Sequence, residues 1–422
     1  MTIEEYLAAG ITPFHVVETS KKLLEEAGYE ELALDQEWKL EDGKGYFVSP
    51  YPSSFYAFYT GSKDLRMMAG HTDSPVLKLK PSPTISREEY RVANVEAYGG
   101  MILHTWFDRP LGLAGKLVLK GKDAFAPKVV LYDSKKPLAV ISSLAIHMDR
   151  EVNKKNELKV QEHLLPLFTI EGGKEEGKDL LLSYVARDLG ISYEEILDFD
   201  LIFYNPQKPE AVGLEGELLV SPRLDNLTSC YAGLEAMREK KPGGSTAVLA
   251  LFDNEEVGSR SKQGADSSLL SMILDKMMLA MRESKTCSNI SKEELVTRGF
   301  FASMDVAHAW HHNYSGKSDL TTKTYLGRGL VLKSSGAQRY NSDSYSNGVI
   351  LELCKENKIA VQRQINHSDV AGGTTLGPIV SSYLPVYGVD LGIGILGMHS
   401  ACETGGKKDV KALVKWAKVY SK

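Results

Sequence analysis

An α/β fold accompanied by a small all-β unit is predicted by three observations. After Pro222, apolar runs of strand length alternate with stretches of helical periodicity, the pattern of a sheet covered on both faces by helices. From about Pro83, short β-like runs follow one another at close spacing, punctuated by glycine and proline, which is the rhythm of an all-β module. The chain has 422 residues, and single hydrophobic cores stop growing at roughly 250–300 residues, so two structural units are expected.

Taken in order, Thr12-Pro13 opens a helix, with Thr12 as cap and Pro13 at the first helical position. Phe14, Val17, Leu24 and Ala27 recur along one face of it before Gly28 closes it. Trp38–Leu40 and Gly45–Phe47 read as strand pieces about an Asp42-Gly43 turn, and Asp64–Gly70 as a buried strand leading into His71. In the β-rich part the expected strands are Tyr90–Val95, Met101–Phe107, Gly115–Lys120 and Lys128–Tyr132. The stretch Gly172–Gly177 is expected to be a loop, and Asp179–Leu201 returns to helical periodicity. A helix follows Asp225, with Leu227, Cys230, Tyr231, Leu234 and Met237 on one face, and Lys241–Gly244 stops it. Thr246–Phe252, Phe300–Met304 and Leu391–Leu396 are expected strands; Ser267–Met281, Ser344–Asn357 and Val410–Tyr420 are expected helices.

Composition narrows the function classes. Lys plus Arg number 50 and Asp plus Glu 55, a net charge of -5. A general nucleic-acid binder leans basic, so nucleic acid is not expected as a partner. With 43% hydrophobic and 25% charged residues, disorder, collagen and coiled coil are excluded. The four cysteines, Cys230, Cys287, Cys354 and Cys402, show no C-x-x-C spacing and read as reduced thiols of a cytoplasmic protein. No basic stretch followed by an apolar one opens the chain, and no apolar run approaches the ~18 residues of a span. Neither a signal peptide nor a membrane partner is expected.

Acidic residues and histidines recur at the carboxyl ends of the expected strands. His71 and Asp73 follow Gly70, Glu255 and Glu256 follow Phe252, Asp305 follows Met304, and His399 comes just after the strand near Ile395; Asp225 starts a helix. Open α/β sheets bind ligands at that edge. Any one of these residues alone is commonplace at a surface; the specificity lies in their recurrence. Two histidines and several carboxylates without a thiolate suit a metal such as zinc. The set is too acidic for one zinc, whereas two zinc ions sharing a bridging carboxylate would balance it and serve hydrolysis. Adjacent glutamates divide labour naturally, one on metal and one on the proton of water, and His71-x-Asp73 suits a carboxylate that orients a ligating imidazole.

The motifs resemble those of the aspartyl aminopeptidase family of dinuclear zinc exopeptidases over nearly the whole chain. The carriers are Pro13-Phe14-His15, the Gly70–Pro75 segment, Ser143–His147, Pro222–Asn226, Asp253–Ser259, Met304–Ala309, Gln338-Arg339-Tyr340, Gly373–Pro378 and Met398-His399-Ser400. The resemblance implies a mixed central sheet flanked by helices, with residues 1–82 and 220–422 as a discontinuous catalytic domain and residues 83–219 as an inserted β-rich dimerisation and assembly domain. It implies one zinc on His71, Asp225 and Asp305 and a second on Asp225, Glu256 and His399, with Asp225 bridging; cobalt or manganese would substitute. Glu255 would be the general base and then the acid for the leaving amine, and Asp73 would orient His71. His147 would reach a neighbouring subunit's site and stabilise the oxyanion there, with a role as a third histidine ligand as the competing reading. Dimers assembled into a tetrahedral dodecamer are expected.

His308 is expected to line the site, whereas His311 and His312 are not expected to bind metal. Asp369 is a candidate substrate contact. The Gly372–Gly377 stretch lacks the ending of a phosphate loop and reads as a turn beside the substrate. The family's preference for acidic N-terminal residues goes with a basic residue just before Gln-Arg-Tyr; here that position is Ala337, with Lys333 and Arg339 nearby to compensate. The expected function is thus an aminopeptidase releasing Asp or Glu, or neutral residues, from peptides with a free N-terminus. The competing readings are a di-zinc deacylase or carboxypeptidase, and a non-catalytic, self-assembling peptide-binding shell.

Overall fold

A computed structural model describes residues 1–155, 157–170, 178–242, 244–283 and 291–422. The loop expected at Gly172–Gly177 and the thiol of Cys287 lie outside the described residues. The chain divides into two compact units, one of residues 1–73, 209–398 and 403–422, the other of residues 74–208 and 399–402.

In the first unit a single mixed sheet takes up every strand described there. Its centre is parallel. Ser62–His71 lies between Ser245–Phe252 and Phe300–Met304, and Phe300–Met304 pairs in turn with Tyr387–Leu396. Alternation along these strands sends side chains to two separate cores. Met68, Leu249, Leu251, Ala302 and Met304 meet Leu23, Leu227, Leu234, Leu413 and Trp416 of the helices Pro13–Glu25, Leu224–Arg238 and Lys407–Tyr420. Met67, Ala69, Val248, Ala250, Phe252 and Phe301 meet Ile273, Leu274, Met277 and Val380 of the helices Leu269–Glu283 and Leu376–Tyr383. The sheet is therefore the middle of three layers, as the continuous apolar runs require. Among the described residues, no helix is long and apolar enough to cross a membrane.

In the second unit the strands Val76–Arg87, Tyr90–Tyr98, Leu167–Thr169, Ala139–Val140, Pro110–Leu119 and Ile196–Tyr204 pair in that order, and the last pairs back to the first. The sheet thus closes into a barrel, with Lys128–Asp133 added on the outside of Pro110–Leu119. Leu77, Val95, Leu113, Leu117, Leu201 and Phe203 fill its core together with Val185 of the helix Leu180–Leu189.

Several expectations change. Met101–Phe107 is not a strand: Thr105 donates to the Ile102 carbonyl through both its N–H and its hydroxyl, closing a 3-10 turn that buries Trp106. Trp38–Leu40 makes no ladder; Trp38 donates to the Ala33 carbonyl and stacks on Phe58. The helix expected over Asp179–Leu201 ends at Gly190, which takes the left-handed cap conformation (φ 68), and Ile196–Tyr204 is a strand. The second unit begins at Ser74 instead of 83, because Val76–Arg87 is one strand, with Pro81 and Pro83 absorbed where its pairing register shifts. It ends at Lys208, because Glu210–Val212 and Leu218–Ser221 form a hairpin on the first unit's sheet.

Candidate metal centre

Strand register brings the candidate residues together. His71 is paired with Phe252, three residues before Glu255, and Ala69 with Ser303. The residues that leave the strands at their carboxyl ends therefore emerge side by side. Asp225 arrives from the start of the helix Leu224–Arg238, where its N–H donates to Glu403 Oε2 at 3.0 Å. Within the first unit two overlapping sets result among the described residues, His71 with Asp225 and Asp305, and His71 with Glu255 and Glu256; within each, one candidate ligand atom per residue lies within 4.8 Å of the others.

His71 is 1% exposed, and its two ring nitrogens face different carboxylates. Nε2 lies 3.3 Å from Asp225 Oδ1 and 3.7 Å from Asp305 Oδ1, while Nδ1 lies 3.3 Å from Asp73 Oδ1 and 3.1 Å from the Asp73 carbonyl. Asp73 does more than orient the ring. Its two oxygens accept the backbone N–H groups of Glu255, at 3.2 Å, and Glu256, at 3.1 Å, so one buried carboxylate fixes the imidazole and the glutamate pair together.

The electrostatics are those of a cation site. Burial pulls the His71 ring down, but hydrogen bonds to Asp225, Asp305 and Asp73 outweigh it and push the ring well above its ordinary value. Burial, opposed by His71 and reinforced by Asp305, Asp73 and Asp225, pushes the Glu255 carboxyl up to about 8. Burial and then Asp225 push Glu256 up as well, and burial followed by the Asp73 charge lifts Asp253 to about 7. Burial also raises Asp305, yet Lys333 and His71 together hold it below the usual carboxylate range. A crowd of buried and half-buried carboxylates about one imidazole is repulsive unless cations neutralise it. Oxygen and imidazole donors without a thiolate fit a borderline-hard dication such as zinc.

The remaining candidates are distributed as follows. Lys333 is buried, with Nζ 3.1 Å from Asp305 Oδ2. His308 is exposed at the end of a short strand beside Ile395. His311 and His312 stack on each other and His311 meets Tyr314 edge-on; among the described residues neither joins a candidate ligand group. Arg339 and Asp369 are exposed on the loops after the strands Leu330–Lys333 and Val361–Gln364. His399 belongs to the second unit, where its Nδ1 lies 3.0 Å from the Gly100 carbonyl and its own carbonyl accepts the Ile102 N–H. A ring nitrogen held by a carbonyl in this way leaves Nε2 as the ligating atom. His147, also in the second unit, lies in an irregular segment where Leu144, Ile146 and Met148 are exposed.

Three supporting groups escape sequence reasoning. Glu403 is 2% exposed and holds the Asp225 N–H. The Asn226 amide donates to the Met304 carbonyl at 2.8 Å. The Cys230 thiol, pushed up to about 12 by burial and so kept protonated, donates to the His71 carbonyl at 3.0 Å. Backbone strain was a usable signal only in part: Arg223 (φ 63) and Asn254 (φ 62) take the left-handed region next to Asp225 and Glu255, as His399 itself does (φ 67). Such residues cost about 1–3 kcal/mol and cluster at functional sites.

The sequence profile of the aminopeptidase I zinc metalloprotease (M18) family matches residues 6–420. A probable M18 family aminopeptidase 2 of Clostridium novyi (strain NT) is 38% identical over 414 residues, covering 96% of this chain and 94% of that protein. Among solved structures, the complex of Ape4 and Nbr1 contains a chain similar to this one, with a TM-score of 0.92 and 31% identity over 99% of this chain and 84% of that one. The S. cerevesiae mApe1 dodecamer is similar with a TM-score of 0.82 and 25% identity, over 99% of this chain and 97% of that one.

Proposed function

Because the chain belongs to the aminopeptidase I zinc metalloprotease (M18) family and is a metallo-aminopeptidase, we propose that it removes N-terminal residues, acidic ones in preference, from peptides at a centre of two zinc ions. The observation that carries this reading is the convergence of Asp225 and Asp305 on Nε2 of His71, with Glu255 and Glu256 alongside. One zinc would be held by His71, Asp225 and Asp305 and the other by Asp225, Glu256 and His399, with Asp225 common to both. When bound, the metal pair supplies Lewis acidity toward the scissile carbonyl and acidifies the attacking water.

The chain's own groups do the rest. Glu255 takes a proton from the water onto a carboxylate oxygen and returns it to the leaving amine. Asp73 keeps Glu255 at its station by holding its backbone N–H, and keeps Nε2 of His71 turned toward Asp225 and Asp305. Lys333 spends a donor on Asp305 and retains others for an acidic substrate side chain. Arg339 is a second cation, exposed on its loop. Ala337 stands where a basic residue accompanies acidic preference, so neutral residues are the competing substrates. His147 acts in the site of a neighbouring subunit, its exposed apolar neighbours Leu144, Ile146 and Met148 being the surface that the neighbour covers. The similarity to a dodecamer supports dimers assembled into a dodecamer for this chain too. The reduced thiols of the buried Cys230 and Cys354 agree with a cytoplasmic setting.

The test is a panel of aminoacyl chromogenic substrates, each with an N-acetylated counterpart, and metal analysis of the same preparation. Free-amine substrates with Asp or Glu in front should be cleaved fastest, with about two zinc per chain. Cleavage of the acetylated forms at equal rate would reject an aminopeptidase, and faster release of neutral residues would reject the acidic preference.

A further inference from the structure

Asp390 lies in the middle of the strand Tyr387–Leu396, between the buried Val389 and Leu391, and is 0% exposed. A carboxylate at the core of a sheet is costly unless its oxygens are used, so its partners reveal its task. Two different loops use them. The Asn341 N–H donates to Oδ2 at 2.7 Å, and the Thr375 hydroxyl donates to Oδ1. The Asp390 N–H donates in turn to Ser342 Oγ at 2.8 Å.

Asn341 and Ser342 end the loop 334–343, which carries Arg339. Thr375 ends the loop 365–375, which carries Asp369, and caps the helix Leu376–Tyr383. The loops are bonded to each other as well, through Thr374 Oγ1 and the Arg339 carbonyl at 3.2 Å. The fit is close: a Cβ on Gly377 would lie 2.2 Å from Asp390 Oδ2, and one on Gly388 would lie 2.2 Å from Asn341 Nδ2. Only glycine permits these approaches. The adjoining Leu391 carbonyl accepts the N–H of Asp305 at 2.9 Å, so the anchored loops are tied to the stretch of sheet that delivers a candidate ligand.

We propose that Asp390 is a positioning residue for the peptidase reaction, clamping the loops 334–343 and 365–375 in the register that presents Arg339 and Asp369 to the peptide. This rests on the metallo-aminopeptidase reading above and adds to it the device that shapes the substrate rim. Loosening the clamp weakens substrate binding while leaving the chemistry at Glu255 in place, which appears as a rise in KM at nearly constant kcat.

The experiment compares Thr375→Val, Thr375→Ser, Asp390→Asn and Asp390→Ala by steady-state kinetics on an aminoacyl p-nitroanilide and by amide hydrogen exchange without substrate. Thr375→Val deletes the clamp bond to Asp390 together with the cap bond from the Gly377 N–H and should raise KM by about threefold to tenfold, with kcat within about twofold; Thr375→Ser keeps the hydroxyl for both bonds and should restore the wild-type KM. Exchange should quicken in both loops in Asp390→Ala, less in Asp390→Asn, which keeps one acceptor oxygen, and stay unchanged in the Ser62–His71 strand. An unchanged KM in Thr375→Val, or exchange that quickens evenly along the chain, overturns the proposal. A wild-type protein that cleaves no aminoacyl substrate would overturn the previous reading instead, and the exchange pattern would still decide whether Asp390 clamps the loops.

Discussion

Asp73 sets its Oδ1 3.3 Å from Nδ1 of His71, on the nitrogen opposite to the one that faces Asp225 and Asp305. The same carboxylate accepts the N–H groups of Glu255 and Glu256. Asp73→Asn replaces one acceptor oxygen by an amide that points donors at donors. Zinc affinity should fall about 10–100-fold, measured by competition with a chromogenic chelator. An affinity equal to that of the wild type would sink the orienting role.

Glu255→Gln should lower kcat by about two to four orders of magnitude while zinc content, measured by atomic emission, stays at the wild-type level. Because the base works as the carboxylate, the wild-type rate should rise with pH as Glu255 ionises. Burial raises that pKa and bound cations draw it back down. A variant that keeps its rate would show that the base lies elsewhere.

His147 can be assigned to a neighbour's site by complementation. Two inactive proteins, His147→Ala and Glu255→Gln, are dissociated, mixed in equal amounts and reassembled. A mixed dimer has one site with both groups intact, so activity should return to about a quarter of the wild-type level. No recovery on mixing would place His147 in its own subunit's site or outside the reaction.

On the barrel, Asp200 lies between Lys78 at 2.7 Å and Lys116 at 3.2 Å, contacts that join three strands. Burial raises the carboxyl, but the two lysines outweigh it and hold Asp200 below the usual carboxylate range. A depressed folded-state pKa means stabilisation that is present above the unfolded value and lost as pH falls through the folded one. The carboxylate is about one-third exposed (36%), so Asp200→Asn should cost only about 0.5–1 kcal/mol at neutral pH after solvent screening. Hydrogen exchange of Ile196–Tyr204 should show that difference at pH 7 and lose it in acid. A difference that grows in acid would contradict the sign.

What the sequence disclosed and what it withheld have a common cause. His71, Asp225, Glu255, Glu256 and Asp305 were legible because parallel strands deliver their carboxyl ends to one edge, and each residue sits just past an apolar run or at a helix start. Glu403, Cys230 and Asp390 were not, since their roles depend on what lies across the sheet. Periodicity reports a segment's own faces and says nothing of its partners. The same limit explains Met101–Phe107, whose apolar residues pack on a turn with Trp106 buried, and Asp179–Leu201, where helical spacing runs across the left-handed Gly190 into a strand.

The route of the chain through its two units also sets an order of events during synthesis. Every barrel strand lies within residues 76–204, so the barrel has all its strands once that stretch has left the ribosome. The strand that ends in His71 is made earlier, but its parallel neighbours Ser245–Phe252 and Phe300–Met304 are made later. Pairings this distant in sequence form slowly, and domains fold as units while the chain emerges. His71 and Asp73 therefore wait on the nascent chain, and the candidate ligands come together only after every strand of the inserted barrel has been made.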